Sequence, residues 1–299
     1  MTEQNRTPDG LVIVDKPSGF TSHDVVAKMR GIARTRRVGH AGTLDPMATG
    51  VLVLGVEKAT KLLGHLALTE KEYLGTIRLG QNTVTDDAEG EITSSADASG
   101  VTREGIDAGV AKLTGAIMQV PSKVSAIKID GKRSYARVRG GEEFEIPARP
   151  VTVSSFQVYD VREAVAEDGT PVVDLVVSVV CSSGTYIRAL ARDLGADLGV
   201  GGHLTALRRT RVGPYGLDAA KTLDQLQEEL TVMPIADAAA AAFPRWDVDE
   251  RQAKLLTNGV RLDMPAYESA PVAVFGPDGR FVALVEEQKG KAKSLAVFG

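Results

Sequence analysis

The fold assignment of this chain rests on a stretch that reads Gly39-His40-Ala41-Gly42-Thr43-Leu44-Asp45-Pro46-Met47-Ala48-Thr49-Gly50. Pro46 disfavours the α region of backbone angles at Asp45 and pushes that residue into an extended conformation. The glycines on either side permit unusual backbone angles and the close approach of a ligand. A rigid loop that presents a single carboxylate is one way to build a catalytic site. From these residues alone, a turn or capping role for Asp45 is the simpler interpretation.

The segments on either side of this stretch predict a strand, a helix and a second strand. Residues 11–14 have the pattern of a short buried strand, and Ser22 is a predicted helix N-cap. An apolar face then predicts a helix over about residues 23–34. Residues 51–56 are typical of another buried strand. The Asp45 loop is therefore expected between a basic helix and a strand of the core.

Further strands are predicted over residues 73–79 and 172–181, and further helices over residues 101–114 and from Ile187 to about residue 199. Residues 121–149 form a basic, glycine-containing segment with little apolar periodicity. This segment is long for a connection within a compact domain, and such connections are usually functional or disordered.

Length and composition are those of a globular protein with one or two domains, since the chain has 299 residues, of which 43% are hydrophobic and 25% charged. Residues 222–250 are acidic and rich in alanine, and the segments after them have the patterns of short strands. We therefore place a domain boundary near residue 240. The expected domains are a larger one over residues 1–240 and a small β domain over residues 241–299.

Several protein classes are disfavoured by the same sequence. The N-terminus lacks the apolar core of a signal peptide, and no run approaches the roughly 18 apolar residues that span a bilayer, so we expect a cytoplasmic protein that does not bind membranes. The single cysteine, Cys181, lies in an apolar run and is expected to be a buried thiol. The four histidines are scattered, and no metal-ligand cluster, Walker loop or dinucleotide-binding glycine motif stands out. These patterns predict neither a metal nor a cofactor.

Basic residues are concentrated in three runs, although the formal net charge is −4. The runs are residues 28–39, residues 123–140 and Arg208-Arg209-Arg211, while acids gather elsewhere, as in residues 86–91. Each run alone could be an ordinary solvated face. Together they favour a groove for a polyanion on an otherwise acidic surface, and this indicates an RNA partner.

The stretch around Asp45 resembles the catalytic motif of TruB-type pseudouridine synthases, Gly-His-x-Gly-x-Leu-Asp-Pro-x-Ala-x-Gly, at every fixed position. Further motifs of that family are matched in the same order along the chain: Asp15-Lys16-Pro17-x-Gly19-x-Thr21-Ser22, Lys71-Glu72-Tyr73, Pro121-Ser122-x-x-Ser125-Ala126-x-Lys128, Gly184-Thr185-Tyr186-Ile187-Arg188, and Leu204 to Arg209. The resemblance spans about residues 10–215, and an ordered set of matches is not a chance result.

The resemblance implies a mixed α/β (α+β) pseudouridine synthase fold, with a central mixed, mainly antiparallel sheet flanked by helices and loops. It also implies that the small C-terminal β domain is a PUA-like RNA-binding domain. The implied reaction is the isomerisation of uridine 55 in the T-loop of tRNA, in which uracil leaves ribose C1′, turns and rejoins through C5. This reaction needs no cofactor. The implied partner is the T-arm of tRNA, the enzyme is expected to be a monomer, and it could also assist tRNA folding.

By the same resemblance, Asp45 is the essential carboxylate, which attacks the sugar or the base or removes a ribose proton. Arg188 matches the arginine that favours the ionised form of this carboxylate. Tyr73 matches the tyrosine that stacks on the target base and relays a proton after the new bond forms.

The other expected site residues bind or enclose the RNA. His40 matches a histidine that enters the RNA at the place of the flipped base. Lys16 and Pro17 resemble residues that support the pocket, and Leu207 resembles an apolar residue of its wall. Tyr186 belongs to the motif that supplies the partner arginine, and it is expected to contact the substrate.

Residues 121–149 resemble the RNA-clasping insertion of the family. Its Lys128, Lys132 and Arg133 would bind phosphates, and its length would allow ordering on binding. The insertion also favours a stand-alone enzyme over the RNA-guided archaeal and eukaryotic relatives, as does the absence of a long lysine-rich tail. Those relatives would share the Asp45 motif.

Two alternatives belong to other functional classes. An RNA-binding protein or tRNA-folding chaperone would use the same basic surface without turnover. A carboxylate-dependent glycoside hydrolase fits less well, because such enzymes typically place two carboxylates at the scissile bond and the motif offers one.

Overall fold

The structure is a computed structural model that describes residues 8–122, 128–129, 132–133 and 146–298. The described chain divides into two compact units. The first unit comprises Met1–Pro46, Gly50–Thr69 and Val212–Gly299, and the second comprises Met47–Thr49 and Glu70–Arg211, in each case as far as the residues are described.

The strands follow one another along the chain as β1 (Gly10–Lys16), β2 (Val38–Ala41), β3 (Thr49–Val56), β4 (Lys71–Leu79), β5 (Gln81–Thr83), β6 (Ile92–Ser95), β7 (Gly115–Gln119), β8 (Lys128–Ile129), β9 (Lys132–Arg133), β10 (Arg149–Val165), β11 (Pro171–Cys181), β12 (Gly202–Val212), β13 (Tyr215–Gly216), β14 (Met233–Pro234), β15 (Arg245–Asp247), β16 (Val272–Phe275), β17 (Phe281–Gln288) and β18 (Lys291–Val297).

The α-helices are α1 (Ser22–Ile32), α2 (Leu63–Leu66), α3 (Arg103–Lys112), α4 (Ile187–Asp197), α5 (Leu223–Glu228), α6 (Ile235–Ala242) and α7 (Glu250–Thr257). Two short 3₁₀ helices cover Glu57–Leu62 and Leu217–Ala219. No helix of the described part of the chain is long and apolar enough to cross a membrane.

In the first unit, β3 pairs with β1 and with β2, and both pairs are antiparallel. The register places Lys16 opposite Gly50 and His40 opposite Leu54. The motif that contains Asp45 therefore begins on β2 and ends on β3, and Asp45 lies in the connection between two paired strands. Such a connection is fixed at both ends by the ladder hydrogen bonds of the strands.

The C-terminal strands of the first unit form a small sheet in the order β15-β16-β17-β18, with β15 parallel to β16 and the other pairs antiparallel. Apolar side chains of this sheet, including Phe275 and Phe281, share one buried cluster with Leu11 and Val51 of β1 and β3. The predicted C-terminal β strands are present and form this sheet. A separate domain over residues 241–299, its PUA-like character and the boundary near residue 240 stay predictions.

The second unit is built on strands in the order β12-β4-β11-β10-β7. The β4–β11, β11–β10 and β10–β7 pairs are antiparallel. The predicted mixed α/β fold with a mainly antiparallel sheet is confirmed. Cys181 ends β11 and is buried, as predicted, and the same burial raises the pKa of its thiol to about 11.

Some predicted boundaries are wrong by a few residues. The predicted loop over residues 39–50 begins as strand, because β2 includes Gly39 to Ala41. The N-cap of α1 is Thr21 and not Ser22: the Thr21 hydroxyl accepts a hydrogen bond from the Asp24 amide, and the Asp24 carboxylate accepts one from the Thr21 amide in return. Ser22 does not cap the helix, and its side chain instead forms hydrogen bonds with the backbone of Leu44 in the Asp45 loop.

Candidate functional site

The Asp45 loop is anchored from β1 by Lys16, whose side chain is fully buried. Its ammonium nitrogen Nζ donates to three backbone carbonyls, at 3.0 Å to Pro17, 2.6 Å to Phe20 and 3.1 Å to Pro46. The Gly19 amide also donates to the Pro46 carbonyl, at 2.8 Å. A buried ammonium group is costly unless its donors are satisfied, so these carbonyls define its position. The residue after Asp45 is thereby held by a charge-assisted hydrogen bond.

The residue before Asp45 is held from α1 by Ser22. The Leu44 amide donates to Ser22 Oγ at 2.9 Å, and Ser22 Oγ lies 3.3 Å from the Leu44 carbonyl oxygen, to which it donates. Ser22 and Leu44 are both buried. Asp45 itself is partly exposed. The loop is therefore fixed through the backbone on both sides of Asp45.

Two glycines of the motif have backbone angles that explain their presence. Gly42 has φ +77° and Gly50 has φ +98°. Residues with a side chain rarely adopt such angles. Glycine is therefore favoured at the bend that follows β2 and at the second residue of β3.

His40 lies on β2, partly buried, with its ring edge-on to the ring of His23 at a centroid separation of 5.5 Å. His23 is exposed on the first turn of α1. The expected site residues of the first unit thus fall into one neighbourhood of the motif: Lys16 and Pro17 at the Asp45 loop, and His40 on the strand that leads into it.

In the second unit, Tyr73 lies on β4 and is 7% exposed. Lys71, Tyr73 and Gly75 alternate along β4 and so share one face. A Cβ atom added at Gly75 would lie 3.6 Å from Leu207 Cδ1 and 3.2 Å from the Ala206 carbonyl oxygen. Tyr73 and Leu207 are therefore brought to the same buried face, where Gly75 leaves room for the backbone of β12.

This face also carries positive charge. Lys71 and Arg209 are 5% and 1% exposed. Burial, together with the positive charge of Arg209, lowers the pKa of Lys71 to about 8, while Cys181 acts in the opposite direction. Lys71 and Arg209 are therefore two buried basic side chains close enough for the charge of one to disfavour the charged form of the other.

Arg188 is the second residue of α4 and is buried, which differs from the exposed position that is common at a helix start. Its Nη1 lies 2.9 Å from the Thr85 carbonyl oxygen and 3.2 Å from Asp87 Oδ2. Asp87 is itself 2% exposed, and its Oδ1 accepts from the Thr85 hydroxyl at 2.5 Å and the Glu89 amide at 3.0 Å. Asp87 thus balances the charge of Arg188 and fixes its position within this unit.

The sequence reasoning missed Asp87, which it counted among the acids of an exposed patch. The sequence contains one pattern that could have indicated these ion pairs, namely two neighbouring acids and two arginines at helical spacing. Arg188 and Arg192 are four residues apart and lie on one face of α4, and they pair with Asp87 and Asp86 in turn. Asp86 has φ +59°, an uncommon angle for a residue with a side chain.

Tyr186 precedes α4 and is held by Gln119 through its backbone. Its amide donates to Gln119 Oε1 at 2.8 Å, and its carbonyl accepts from Gln119 Nε2 at 3.1 Å. Lys128, Lys132 and Arg133 lie in the two-residue strands β8 and β9, which pair with each other. Their side chains, and the rest of the expected insertion between residues 123 and 145, lie outside the described residues.

Within residues 8–122 and 146–298, no group of three His, Cys, Asp or Glu side chains is placed to hold a metal ion. The first unit presents Asp45 on a fixed loop. The second unit contains a buried arginine with its own counter-ion, Arg188 with Asp87, and the buried Tyr73. Carboxylate and tyrosine side chains can each act in acid–base or nucleophilic chemistry.

Comparison with protein families gives three matches that follow one another along the chain. Residues 30–187 match the TruB family pseudouridylate synthase N-terminal domain. Residues 188–239 match the tRNA pseudouridylate synthase B C-terminal domain, and residues 243–299 match the tRNA pseudouridine synthase II C-terminal domain.

Similar proteins of known name extend over the whole chain. The tRNA pseudouridine synthase B of Streptomyces griseus is 90% identical, with 100% of both chains covered. The protein of the same name from Thermobifida fusca is 59% identical, with 97% of this chain and 98% of the relative covered.

Among solved structures, a chain of a Cbf5-Nop10-Gar1 complex is similar with a TM-score of 0.74 and 25% identity, covering 100% of this chain and 87% of that one. A chain of an H/ACA RNP bound to a substrate RNA containing 2′-deoxyuridine gives a TM-score of 0.71 at 25% identity, covering 99% and 86%. The family match over more than half of the chain and the full-length relatives agree with the motif order. The chain therefore belongs to the TruB family of pseudouridylate synthases, which are isomerases.

Proposed function

We propose that this enzyme converts uridine 55 in the T-loop of tRNA to pseudouridine, and that Asp45 is the carboxylate that drives the reaction. The observation that carries the proposal is the Asp45 loop, which Lys16 and Ser22 hold through the backbone on both sides of Asp45, itself a partly exposed residue. Full-length relatives that are named tRNA pseudouridine synthase B support tRNA as the substrate. A tRNA substrate also fits the expected cytoplasmic location.

The proposed reaction breaks the bond between N1 of uracil and C1′ of ribose and forms a bond between C5 and C1′. The proton on C5 leaves to solvent, and N1 gains a proton, so the composition of the RNA is unchanged. A fixed carboxylate can act by adding to the sugar or the base or by taking a ribose proton. Each route requires an ionised Asp45 in a position that does not change during turnover.

The other residues take proposed roles that follow from their surroundings. Tyr73 stacks on the flipped uracil, because aromatic faces bind unstacked bases. Leu207 is the apolar wall beside it. Arg188 supplies the cation of the site, with Asp87 as the residue that positions it. His40 occupies the place that the flipped base leaves in the RNA.

The test of this function is tritium release from a bare tRNA transcript labelled at C5 of uracil. Formation of the C5–C1′ bond must expel the label to water, so release reports the reaction itself. We expect release from the wild-type T-loop and none when the target uridine is replaced by cytidine. Absence of release from the uridine transcript would contradict the proposed function and favour the RNA-guided alternative, which the similarity to the H/ACA RNP structure keeps relevant.

Replacing Ser22 with alanine should slow the reaction although Ser22 touches no substrate in the proposed mechanism. The variant leaves the buried Leu44 amide without its acceptor, which costs about 1–3 kcal/mol of stability. The loop can then shift, and a misplacement near 1 Å can cost roughly 10²-fold in rate. We expect a single-turnover rate about ten- to a hundred-fold below wild type at saturating tRNA.

The matched control is Thr21→Ala, one residue away on the same helix. Loss of its N-cap costs about 1 kcal/mol, a similar loss of stability, but Thr21 makes no contact with Leu44 among those described. Its rate should stay close to wild type. Equal rates for the two variants would show that stability, and not loop placement, sets the effect of Ser22.

A further inference from the structure

The turn between α1 and β2 is basic and has an uncommon backbone. We call it the basic turn and define it as Arg34, Thr35, Arg36 and Arg37. Arg34 has φ +50°, a left-handed angle that costs free energy for a residue with a side chain. All three arginines are exposed. The turn precedes His40 and the Asp45 loop by a few residues and belongs to the same unit.

The basic turn is held in place by Glu57, which follows β3. Glu57 is 9% exposed and has φ +55°, a second left-handed angle. Its carboxylate accepts a short hydrogen bond from the Thr35 hydroxyl and lies 3.5 Å from Arg37 Nη1. Its amide donates to the Arg37 carbonyl at 2.9 Å. One buried acid therefore fixes both the side chains and the backbone of the turn.

The guanidinium groups of Arg34 and Arg36 are directed to solvent without an acid beside them. Across residues 8–122 and 146–298, no carboxylate forms an ion pair with either group, whereas Arg37 is balanced by Glu57. The third basic run of the sequence is different. Its Arg209 is buried, and its Arg211 pairs with two glutamates, Glu70 at 3.0 Å and Glu72 at 3.2 Å.

We propose that the basic turn, pre-organised by Glu57, binds the sugar–phosphate backbone of the substrate RNA through Arg34 and Arg36. The proposal rests on the proposed function, which requires an RNA to be held while one base is extruded. Guanidinium groups bind phosphate oxygens with two parallel hydrogen bonds. A turn that is already ordered loses less conformational entropy on binding than a flexible one. Net attraction must be local, since the whole chain carries a formal charge of −4.

The experiment measures the affinity of Arg34→Gln/Arg36→Gln for a T-arm RNA hairpin over a series of salt concentrations. We expect the Kd to rise at least about tenfold at low salt. The slope of log K against log salt should fall by about 1.4 to 1.8, because each lost phosphate contact contributes about 0.7 to 0.9. The melting temperature should be that of the wild type, since both side chains are exposed.

The matched control is Arg103→Gln/Arg162→Gln, which removes the same charge from exposed arginines that already pair with Asp107 and Asp160. Its Kd and salt slope should stay near wild type. If the two double variants bind RNA equally well, the proposal is overturned, and the basic turn is either an ordinary solvated surface or a site for another anionic partner.

The Glu57→Gln variant tests whether RNA binding depends on the ordered conformation of the basic turn or only on net charge. The substitution removes a negative charge, so attraction by net charge alone predicts tighter RNA binding. Loss of the contacts to Thr35 and Arg37 predicts weaker binding, and this is the result that we expect. Tighter binding would overturn the role of Glu57. Failure of the proposed function is distinguishable, because an enzyme that releases no tritium could still show the change in salt slope.

Discussion

An Asp45→Asn variant should release no tritium above background from C5-labelled tRNA, a loss of more than about 10⁴-fold, as expected when a group essential to covalent or acid–base chemistry is removed. Asparagine has nearly the same shape as aspartate but carries no charge and is a poor nucleophile and base. The loop is held by the backbone of Leu44 and Pro46. The substitution should therefore leave the path of the loop unchanged.

The binding of tRNA by Asp45→Asn should be close to that of the wild type, since contacts to the RNA backbone dominate affinity. Asp24→Asn is the matched control, because it makes the same chemical change at the capping box of α1, in the first unit. That control should lose a little stability and keep its activity. If Asp45→Asn lost binding and turnover to the same extent, or kept turnover, Asp45 would not be the catalytic carboxylate.

The Arg188→Met variant should show the second large loss, in both stability and activity. It removes the cation and leaves the buried carboxylate of Asp87 uncompensated, and breaking a buried ion pair in this way costs about 3–5 kcal/mol. Loss of a cation that stabilises developing charge costs about 10²–10³-fold in rate. Denaturant unfolding and single-turnover tritium release at saturating tRNA measure the two effects separately.

The double variant Arg188→Met/Asp87→Asn decides whether Arg188 acts in catalysis or only in folding. Asparagine keeps an oxygen that can accept from Thr85 and Glu89, and no charge is left buried alone. Stability should therefore return most of the way to wild type, while activity stays lost. Recovery of activity together with stability would assign Arg188 a purely structural role and remove it from the site.

The features that could be predicted from the sequence are those fixed by neighbours along the chain. The strands β1, β3 and β11 follow from runs of apolar residues, β4 follows from a strand pattern with one buried face, and the Asp45 loop follows from its glycines and Pro46. In each case the deciding interactions are local, or depend only on one face being buried.

The features that could not be predicted depend on partners distant in sequence. Asp87 was missed because its partner Arg188 lies about a hundred residues later, and composition treats a run of acids as surface. Ser22 was expected to cap α1. Thr21 also fits the N-cap position. Only the placement of Leu44 beside the helix shows that Thr21 is the cap and that Ser22 binds the Asp45 loop.

Alternation along a strand explains why the arginines of the third basic run do not share one exposed surface. Arg208 and Arg209 point to opposite faces of β12, and Arg209 faces inward with Leu207. A count of charges along a sequence cannot distinguish inward-facing from outward-facing side chains unless the strand and its buried face are already known. The basic run over residues 28–39 was visible in the sequence, but its anchoring by Glu57 was not, because Glu57 lies some twenty residues away and no local pattern links the two.

The hydrogen bond from the Leu44 amide to Ser22 makes that amide a reporter on the loop. Its acceptor is a side chain on the first turn of α1, so its protection from hydrogen exchange does not depend on the β-ladder on either side. The amide can exchange with solvent when the end of the helix frays, without unfolding of the sheet. A single exchange rate at Leu44, measured against those of β3, would therefore give the free energy with which the enzyme keeps its carboxylate in place.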